Sequence, residues 1–323
     1  MISQYNFTVA STDGTPVFSS QAYRLYAWLL SSLSPSHADA LHAQGEHPIS
    51  QFLRYDPSAK TTVWSVSLLN EMAHDLFAPI LDTAETVSLH HGTILLQTKT
   101  HSAVKDAHDL ILESRRRDVS RTTILFHSPA SFKQAKRYVI FPQERLIVQS
   151  LINQWNRFVP EYPLDDPDAF QMLADGLRIS DYALRSTGFR LKETVIPGFT
   201  GRLTIRSLLS PPLAELWSTL LSWAEYSGIG IKTTLGMGGV SIDTLKNPQD
   251  IQELRELIEE HVKETGSEKG KRILADFDAY IPRFKKITPR DYERMTRAIL
   301  ANEKQGMSRE EAEIKAFYAV ARK

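Results

Sequence analysis

The sequence predicts an α+β protein in which two tandem ferredoxin-like (βαββαβ) domains are followed by a small all-helical module. Three observations support this prediction. Strand and helix patterns alternate over residues 1–110, the same order returns loosely up to Asp243, and no strand pattern is visible beyond residue 250. We therefore expect ferredoxin-like domains at 1–112 and 113–243, and a helical accessory module at 250–323.

The first domain begins with apolar residues that alternate along residues 3–11, which is typical of a half-buried strand. Apolar residues at helical spacing then predict a helix over residues 19–33, with Ser19 or Ser20 as its N-cap. The remaining predicted elements are a strand at 61–69, a helix at 69–82 and a hairpin at 86–98 that turns at His91-Gly92.

The second domain repeats this order only loosely, and it does not repeat the residues themselves. The predicted elements are a strand at 120–129, a helix at 143–159, a hairpin at 189–208 around Pro197-Gly198, a helix at 211–228 and a strand at 231–243. Beyond them, Gly266 is expected to end one helix of the module, and Ser267 is expected to cap the next. Two more helix starts are indicated by Thr288 with Asp291 and by Ser308 with Glu311, so the module should contain about four helices.

Composition excludes several classes of function. The chain of 323 residues has a formal net charge of zero and no cysteine, which rules out disulfides, thiolate zinc sites and cysteine nucleophiles. The absence of cysteine fits a reducing cytoplasm, and neither a signal peptide nor a membrane span is expected. A neutral chain can still bind nucleic acid through a local basic patch. The cluster Arg115, Arg116, Arg117 and Arg121 is either such a patch or an ordinary solvated surface.

Five of the fifteen glycines lie within residues 228–240, GIGIKTTLGMGGV. Glycine lets main-chain N–H groups approach a phosphate closely, and Lys232 adds a positive charge. A nucleoside triphosphate loop is disfavoured, because Ile231 stands where a glycine should precede Lys232, and a dinucleotide fingerprint fails at Thr233. The alternative is a tight connection between a helix and a strand, which explains one or two glycines more readily than five.

This glycine-rich segment, near the end of a doubled ferredoxin-like chain, resembles that of the CRISPR-associated endoribonucleases of the sixth Cas family, which cut precursor CRISPR RNA within its repeats. Residues 141–155, 198–206 and 40–52 resemble other stretches of that family. The resemblance implies metal-independent cleavage without a cofactor. In that reaction the ribose 2′-hydroxyl attacks the adjacent phosphate, which leaves a 2′,3′-cyclic phosphate and a 5′-hydroxyl.

The same resemblance implies the catalytic residues. His42 lies in an L-H-x-x-G setting where the family keeps a catalytic histidine, and His47 is the next candidate. Some members also have a tyrosine in the first helix and a lysine after the histidine. Here Tyr26 lies one turn before the expected tyrosine position, and Pro48 falls near the lysine position. Tyr26 and His47 are therefore expected as substitutes in an incomplete set.

The resemblance also implies CRISPR repeat RNA as the partner, with subunits of a CRISPR effector complex as a second class of partner. The expected RNA contacts are Gly230, Lys232, Thr233, Gly236 and Gly238, extended by Arg115, Arg116, Arg117 and Arg121. Because the set of catalytic residues is incomplete, a non-catalytic CRISPR RNA-binding subunit stays open as the alternative function.

Residues 253–274 and 283–295 resemble the C-terminal tail of the glutamate synthase large chain. That tail lies outside the family's catalytic sites, so an enzyme of nitrogen metabolism is disfavoured. The module is expected to be non-catalytic, as a fusion that aids solubility or assembly or as a binding module.

Overall fold

The computed structural model of the protein describes residues 1–44, 47–56, 60–89, 92–115, 119–243, 248–280 and 315, without the side chains of 38, 40, 42–44, 243, 248–253 and 278–279. The chain divides into two compact units, Met1–Leu245 and Lys246–Lys323. The first unit contains two antiparallel sheets, one in each half of its sequence.

The N-terminal half contains β1 Ile2–Ser11, α1 Ala22–Ser31, α2 Pro35–Gln44, β2 Ile49–Asp56, β3 Thr61–Leu68, α3 Glu71–Thr83, β4 Thr86–Leu89, β5 Gly92–Val104 and α4 Ala107–Ser114. Its sheet has the strand order β2-β3-β1-β5-β4. The first four strands in this order form the ferredoxin-like arrangement, to which β4 adds an edge strand. Tyr5, Phe7 and Val9 all point into the core, as their alternation predicts.

The C-terminal half contains β6 Arg121–Ala130, β7 Phe132–Gln134, β8 Arg137–Val139, α5 Glu144–Phe158, α6 Pro167–Asp175, β9 Leu177–Leu191, β10 Thr194–Ser207, α7 Pro211–Ser227 and β11 Val240–Asp243. Its sheet has the order β11-β6-β10-β9, which is the ferredoxin-like order without additions. Strands β7 and β8 form a separate two-stranded ribbon. The α+β class and the two ferredoxin-like sheets are confirmed.

The two halves pack closely at α4. Although α4 follows the first sheet in sequence, it packs on α7 of the second half. The Ser114 hydroxyl lies 2.9 Å from that of Thr219, and the Ser218 hydroxyl donates to the Ser114 carbonyl at 2.5 Å. Both halves therefore belong to one compact unit, and a domain boundary at residue 112 stays a prediction.

Three local predictions were wrong. The turn of the second hairpin lies at Lys192 and Glu193, between β9 and β10, and Pro197 lies inside β10. Because β10 pairs with β6 only from Phe199 onward, the missing N–H of Pro197 costs no hydrogen bond on that side. The strand predicted over 231–243 is limited to Val240–Asp243.

The third wrong prediction concerns the start of α1. Residues Ser19–Gln21 form a 3₁₀ turn before the helix, so the N-cap position of α1 belongs to Gln21, with no side-chain cap. Neither Ser19 nor Ser20 is therefore the cap. The helix instead relies on burial of Ala22, Leu25, Tyr26 and Leu29 in the core.

In the second unit, the described helices are α8 Pro248–Thr265, α9 Glu268–Ala275 and α10 Phe277–Tyr280. Gly266 has φ +65°, and the Ser267 hydroxyl accepts the Gly270 N–H at 3.1 Å, so the predicted stop and cap are confirmed. The helix starts predicted at Thr288 and Ser308 lie outside the described residues. None of the helices within the described ranges is long and apolar enough to cross a membrane.

Candidate active site

The glycine-rich segment connects α7 to β11 and packs against both halves of the first unit. Gly238 has φ +67°, and a Cβ there would lie 2.1 Å from the Ile229 carbonyl oxygen. Gly236 has φ +112°, and its Cβ would lie 2.4 Å from the Cβ of Ala22 in α1. Close packing and left-handed backbone therefore require glycine at both positions.

Gln51 in β2 ties this segment to α1. Its buried amide nitrogen donates to the carbonyls of Ala22 at 3.0 Å and Thr234 at 3.1 Å, while its oxygen accepts from the Trp64 indole at 2.9 Å. Such a fully used buried amide holds its neighbours in fixed positions. Tyr26, one turn after Ala22, is thereby placed beside the glycine-rich segment.

A cleft of about 540 Å³ lies where these parts meet. Tyr26 of α1 and His47, just before β2, line it from the N-terminal half, and Gly230, Lys232 and Thr233 line it from the glycine-rich segment. Five residues that the sequence analysis predicted for the site, two as catalytic and three as RNA contacts, thus share one cavity.

Tyr26 and His47 are hydrogen-bonded to each other, through the phenolic oxygen and Nδ1. Their rings also make an edge-on contact, with centroids 5.9 Å apart. Burial raises the pKa of Tyr26 well above its usual value of 10, so the phenol stays protonated at neutral pH. His47 is only half-buried. The pair therefore joins a protonated phenol to an imidazole at the cleft.

Lys232 has an exposed side chain and a left-handed main chain, with φ +58°. It precedes the 3₁₀ turn Thr233–Leu235. Within the described residues, the main-chain N–H groups of Lys232, Thr233 and Thr234 have no acceptor. The residues that carry these three donors and the ammonium group line the cleft, a composition suited to an anionic group.

The polar face of α5 forms another wall, which the sequence analysis missed. The Ser150 hydroxyl accepts the Gly230 N–H at 2.7 Å, and the Gln154 amide donates to the Gly228 carbonyl at 3.3 Å. The cleft-lining residues of this helix are Leu146, Gln149, Ser150, Asn153, Gln154, Arg157 and Phe158. Their i, i+3, i+4 spacing, opposite the apolar face of α5, is a sequence pattern from which this polar face could have been predicted. Lys133 of β7 also lines the cleft.

The remaining predicted site residues are placed differently. His42 lies in α2, but its side chain is outside the described part of the structure, as are Arg116 and Arg117. Arg115 forms an ion pair with Glu215 at 3.2 Å, and neither it nor Arg121 is among the residues that line the cleft. Their RNA contacts stay predictions.

Gly236 and Gly238 are buried. Their N–H groups donate to the carbonyls of Thr233 at 3.3 Å and Pro129 at 2.9 Å. Contact of these two glycines with RNA also stays a prediction, since their main-chain donors are used inside the protein.

A second cavity of about 740 Å³ contains another histidine, His127 of β6, together with Arg54 and Lys60. The His127 ring is parallel to that of Phe52, with centroids 6.0 Å apart, and its Nε2 lies 2.8 Å from the Ser241 hydroxyl. Burial, with a smaller contribution from the Arg54 charge, lowers the pKa of His127 to about 4. This ring is therefore neutral at pH 7 and packed as a structural residue.

His74 is also bonded inside the protein, with its Nδ1 3.2 Å from the Ser3 hydroxyl. His90 and His91 lie outside the described residues. No three His, Asp or Glu side chains converge on a metal-binding position in the described ranges.

Fold and cleft together define a class of protein with two ferredoxin-like halves joined along a glycine-rich segment. A family model described as CRISPR-associated endoribonuclease Cas6 matches residues 124–240. The Cas6 endoribonuclease of Streptococcus thermophilus is 33% identical over 229 residues, which are 70% of this chain and 93% of that protein. The chain therefore belongs to the CRISPR-associated endoribonuclease Cas6 family.

A second relative agrees with this assignment, and two solved structures share the fold. The Cas6 endoribonuclease of Mycobacterium tuberculosis is 28% identical over 226 residues, which are 68% of this chain and 71% of that protein. A solved Cas6 product complex has a TM-score of 0.61 at 22% identity, covering 75% of this chain and all of the other. Thermus thermophilus Cas6 has a TM-score of 0.58 at 25% identity, over 75% and 98% of the two chains.

The C-terminal resemblance is confirmed as well. A family model described as GXGXG motif matches residues 229–290. The glutamate synthase [NADPH] large chain of Bacillus subtilis is 29% identical over 80 residues, which are 25% of this chain but 5% of that protein. So small a share of the synthase is similar that no synthase activity follows.

Proposed function

We propose that this protein cuts precursor CRISPR RNA within its repeats, by attack of a ribose 2′-hydroxyl on the adjacent phosphate and without a metal ion. The observation that carries the proposal is the hydrogen-bonded Tyr26–His47 pair, which lines the same cleft as Lys232. The pair can supply the two proton transfers that the reaction needs, and the lysine can bind the phosphate.

The proposed reaction begins at His47. In the tautomer with its proton on Nδ1, the imidazole donates to the Tyr26 oxygen and keeps the Nε2 lone pair for the 2′-hydroxyl proton. As that proton moves to Nε2, the 2′-oxygen bonds to phosphorus and the bond from phosphorus to the 5′-oxygen breaks. The products are a 2′,3′-cyclic phosphate and a 5′-hydroxyl.

Tyr26 supplies the proton for the leaving 5′-oxygen. Its raised pKa keeps the proton in place before the reaction. Once His47 becomes an imidazolium, its Nδ1–H binds the Tyr26 oxygen more strongly and makes the phenol a better acid at the moment of bond breaking. After the transfer, the Nδ1 proton returns to the phenolate, and neutral His47 exchanges its tautomer through water.

His42 is the other candidate for the general base. The resemblance to the family motivates it, and it lies in α2, five residues before His47. His42→Ala and His47→Ala, measured side by side with the same RNA, separate the two assignments. The variant with the larger loss of cleavage at unchanged affinity identifies the base.

The anionic substrate is expected to lie along the glycine-rich segment. Lys232 and the main-chain N–H groups of Lys232–Thr234 would bind phosphate oxygens next to the cut, while the amides of α5 offer hydrogen bonds to sugars or bases. Neutral polar groups such as Gln149 and Asn153 suit the reading of exposed base edges better than charge alone.

The decisive experiment incubates the full chain with its cognate CRISPR repeat RNA in excess EDTA. The expected products end in a 2′,3′-cyclic phosphate and a 5′-hydroxyl, which end-specific enzymes distinguish from other termini. If EDTA abolishes cutting and added Mg²⁺ restores it, metal-independent cleavage is contradicted.

A non-catalytic CRISPR RNA-binding subunit is the second candidate function. It is favoured by Pro48, which falls near the position where some family members keep a lysine. Tight repeat binding without cutting, with or without metal, would support it. Effector-complex subunits as partners, a cytoplasmic location and an accessory role for the helical module stay predictions.

A further inference from the structure

The β7–β8 ribbon borders one end of the cleft and has an unusual turn. Gln134 and Arg137 are directly paired, so only Ala135 and Lys136 form the turn, with φ +47° and +64°. Two-residue turns of this left-handed kind normally contain asparagine or glycine, because other side chains are strained there. Strained backbone of this kind clusters at functional sites.

The ribbon presents cations without neighbouring acids. Lys133, Lys136 and Arg137 lie within residues 132–141, and that stretch contains no aspartate or glutamate. None of the three forms an ion pair within the described part of the chain. Elsewhere in the same half, by contrast, Arg202 is neutralised by Asp181 at 3.0 Å. The ribbon thus keeps its positive charge available for a partner.

Aromatic side chains lie among these cations. Tyr138 is 43% exposed and directly opposite Lys133, so the two side chains share one face of the ribbon beside the cleft. Phe141 and Tyr182 are 53% and 56% exposed, and they touch edge-to-face with ring centroids 5.8 Å apart. Since α5 begins at Glu144, this aromatic pair lies at the end of α5 where its cleft-lining face starts.

We propose that Tyr138, with the Phe141–Tyr182 pair beyond it, is a stacking platform for unpaired bases of the RNA that leaves the cleft. Exposed aromatic rings among unpaired cations are the combination that binds single-stranded nucleic acid, because every base has a face to stack and every linkage a phosphate. A paired stem does not fit, since its bases are already stacked on each other. The inference rests on the proposed function and adds a binding subsite to it.

The test compares Tyr138→Ala with Tyr138→Phe in the full chain, using the repeat RNA that the wild type cuts. Loss of the ring should weaken binding about tenfold, while phenylalanine keeps the affinity within about twofold. Tyr162→Ala is the matched control. This tyrosine is also exposed, but it lies beyond the other end of α5, about 20 Å along the helix, and its change should leave affinity and cleavage unaltered.

A 2-aminopurine placed in turn at each unpaired position of the repeat reports stacking directly. One position should be quenched by the wild type and by Tyr138→Phe, but not by Tyr138→Ala. A fully paired RNA of the same sequence should bind all three proteins alike.

Each contrary outcome has a definite meaning. If the wild type cuts the repeat and Tyr138→Ala binds it as tightly as the wild type does, the stacking platform is overturned. The proposed function then remains intact. Equal losses on single-stranded and paired RNA, or a Tyr138→Phe variant as weak as Tyr138→Ala, also overturn it. Loss of a co-purifying protein at unchanged RNA affinity assigns this surface to a protein partner instead. A wild type that neither binds nor cuts the repeat overturns both proposals.

Discussion

Two cavities of the first unit each contain a histidine near positive charge, yet only one of these histidines is hydrogen-bonded to a phenol. His47 is half-buried and bonded to a phenol beside Lys232. His127 is packed against Phe52 near Arg54, and its pKa is lowered to about 4, so it is a poor base at neutral pH. The comparison shows that the surroundings of an imidazole, and not its presence in a cavity, determine whether it can do acid–base work.

The largest expected effect is the loss of cleavage when either member of the Tyr26–His47 pair is changed. Normal cleavage in these variants would contradict the comparison. His47→Ala and Tyr26→Phe should each lower the single-turnover cleavage rate by about 10²–10⁴-fold, because each removes one partner of the proton transfer. RNA affinity should change little, since neither variant removes a positive charge. His127→Gln, which keeps a hydrogen-bonding group for Ser241, should cut normally at pH 7.5. A strong defect in that variant would show that the two cavities are not functionally distinct.

The second prediction concerns stability and His127. Its pKa of about 4 in the folded protein lies below the value of 6.5 for a free histidine, so the unfolded chain binds more protons between these pH values. The stabilisation is present above about pH 6.5 and is lost as the pH falls through 4, with a total of about 3 kcal/mol. Urea unfolding of the wild type and of His127→Gln, followed from pH 7 to pH 4, measures it. Identical pH dependence in the two proteins would contradict it.

The third prediction concerns the packing role of the glycines. Gly238→Ala should destabilise the protein by about 2–3 kcal/mol, because its Cβ would meet the Ile229 carbonyl and its φ is positive. Gly14→Ala is the control, with φ +76° but nothing within 4 Å, and it should cost only about 1 kcal/mol. Thermal unfolding of both variants checks the difference, and equal shifts would exclude close packing as its cause.

The smallest expected effect is on RNA affinity, and it distinguishes Lys232 in the first cleft from Lys60 in the second cavity. Lys232→Ala should weaken repeat RNA binding about tenfold and reduce the salt dependence by about one phosphate contact. Lys60→Ala removes a lysine with a similar left-handed main chain, φ +52°, from the second cavity. Titrations at several salt concentrations should show no change for Lys60→Ala. Equal losses in both variants would indicate general attraction instead of a defined site.

Local patterns in the sequence predicted most of the fold. The alternation in β1 and the helical spacing in α5 gave correct elements, because they record burial of one face. The turn at Lys192 was missed, since Pro197-Gly198 is the stronger turn signal and only the ladder positions show why a proline is tolerated there. Strands β2, β7 and β8 and most of β9 were missed. The short helices α2, α4 and α6 were missed too. They are only eight to ten residues long, so packing against other elements determines them more than their own periodicity does.

The sequence by itself determined the two ferredoxin-like halves and the family resemblance, together with the glycine-rich segment as a special place in the chain. Only the tertiary structure decided that Tyr26 and His47 line the same cleft as Lys232, across about 200 residues of chain, and that the face of α5 completes this cleft. The physical reason is that periodicity reports which face of an element is buried, whereas the meeting of distant side chains depends on how the two sheets pack and on contacts such as those of Gln51.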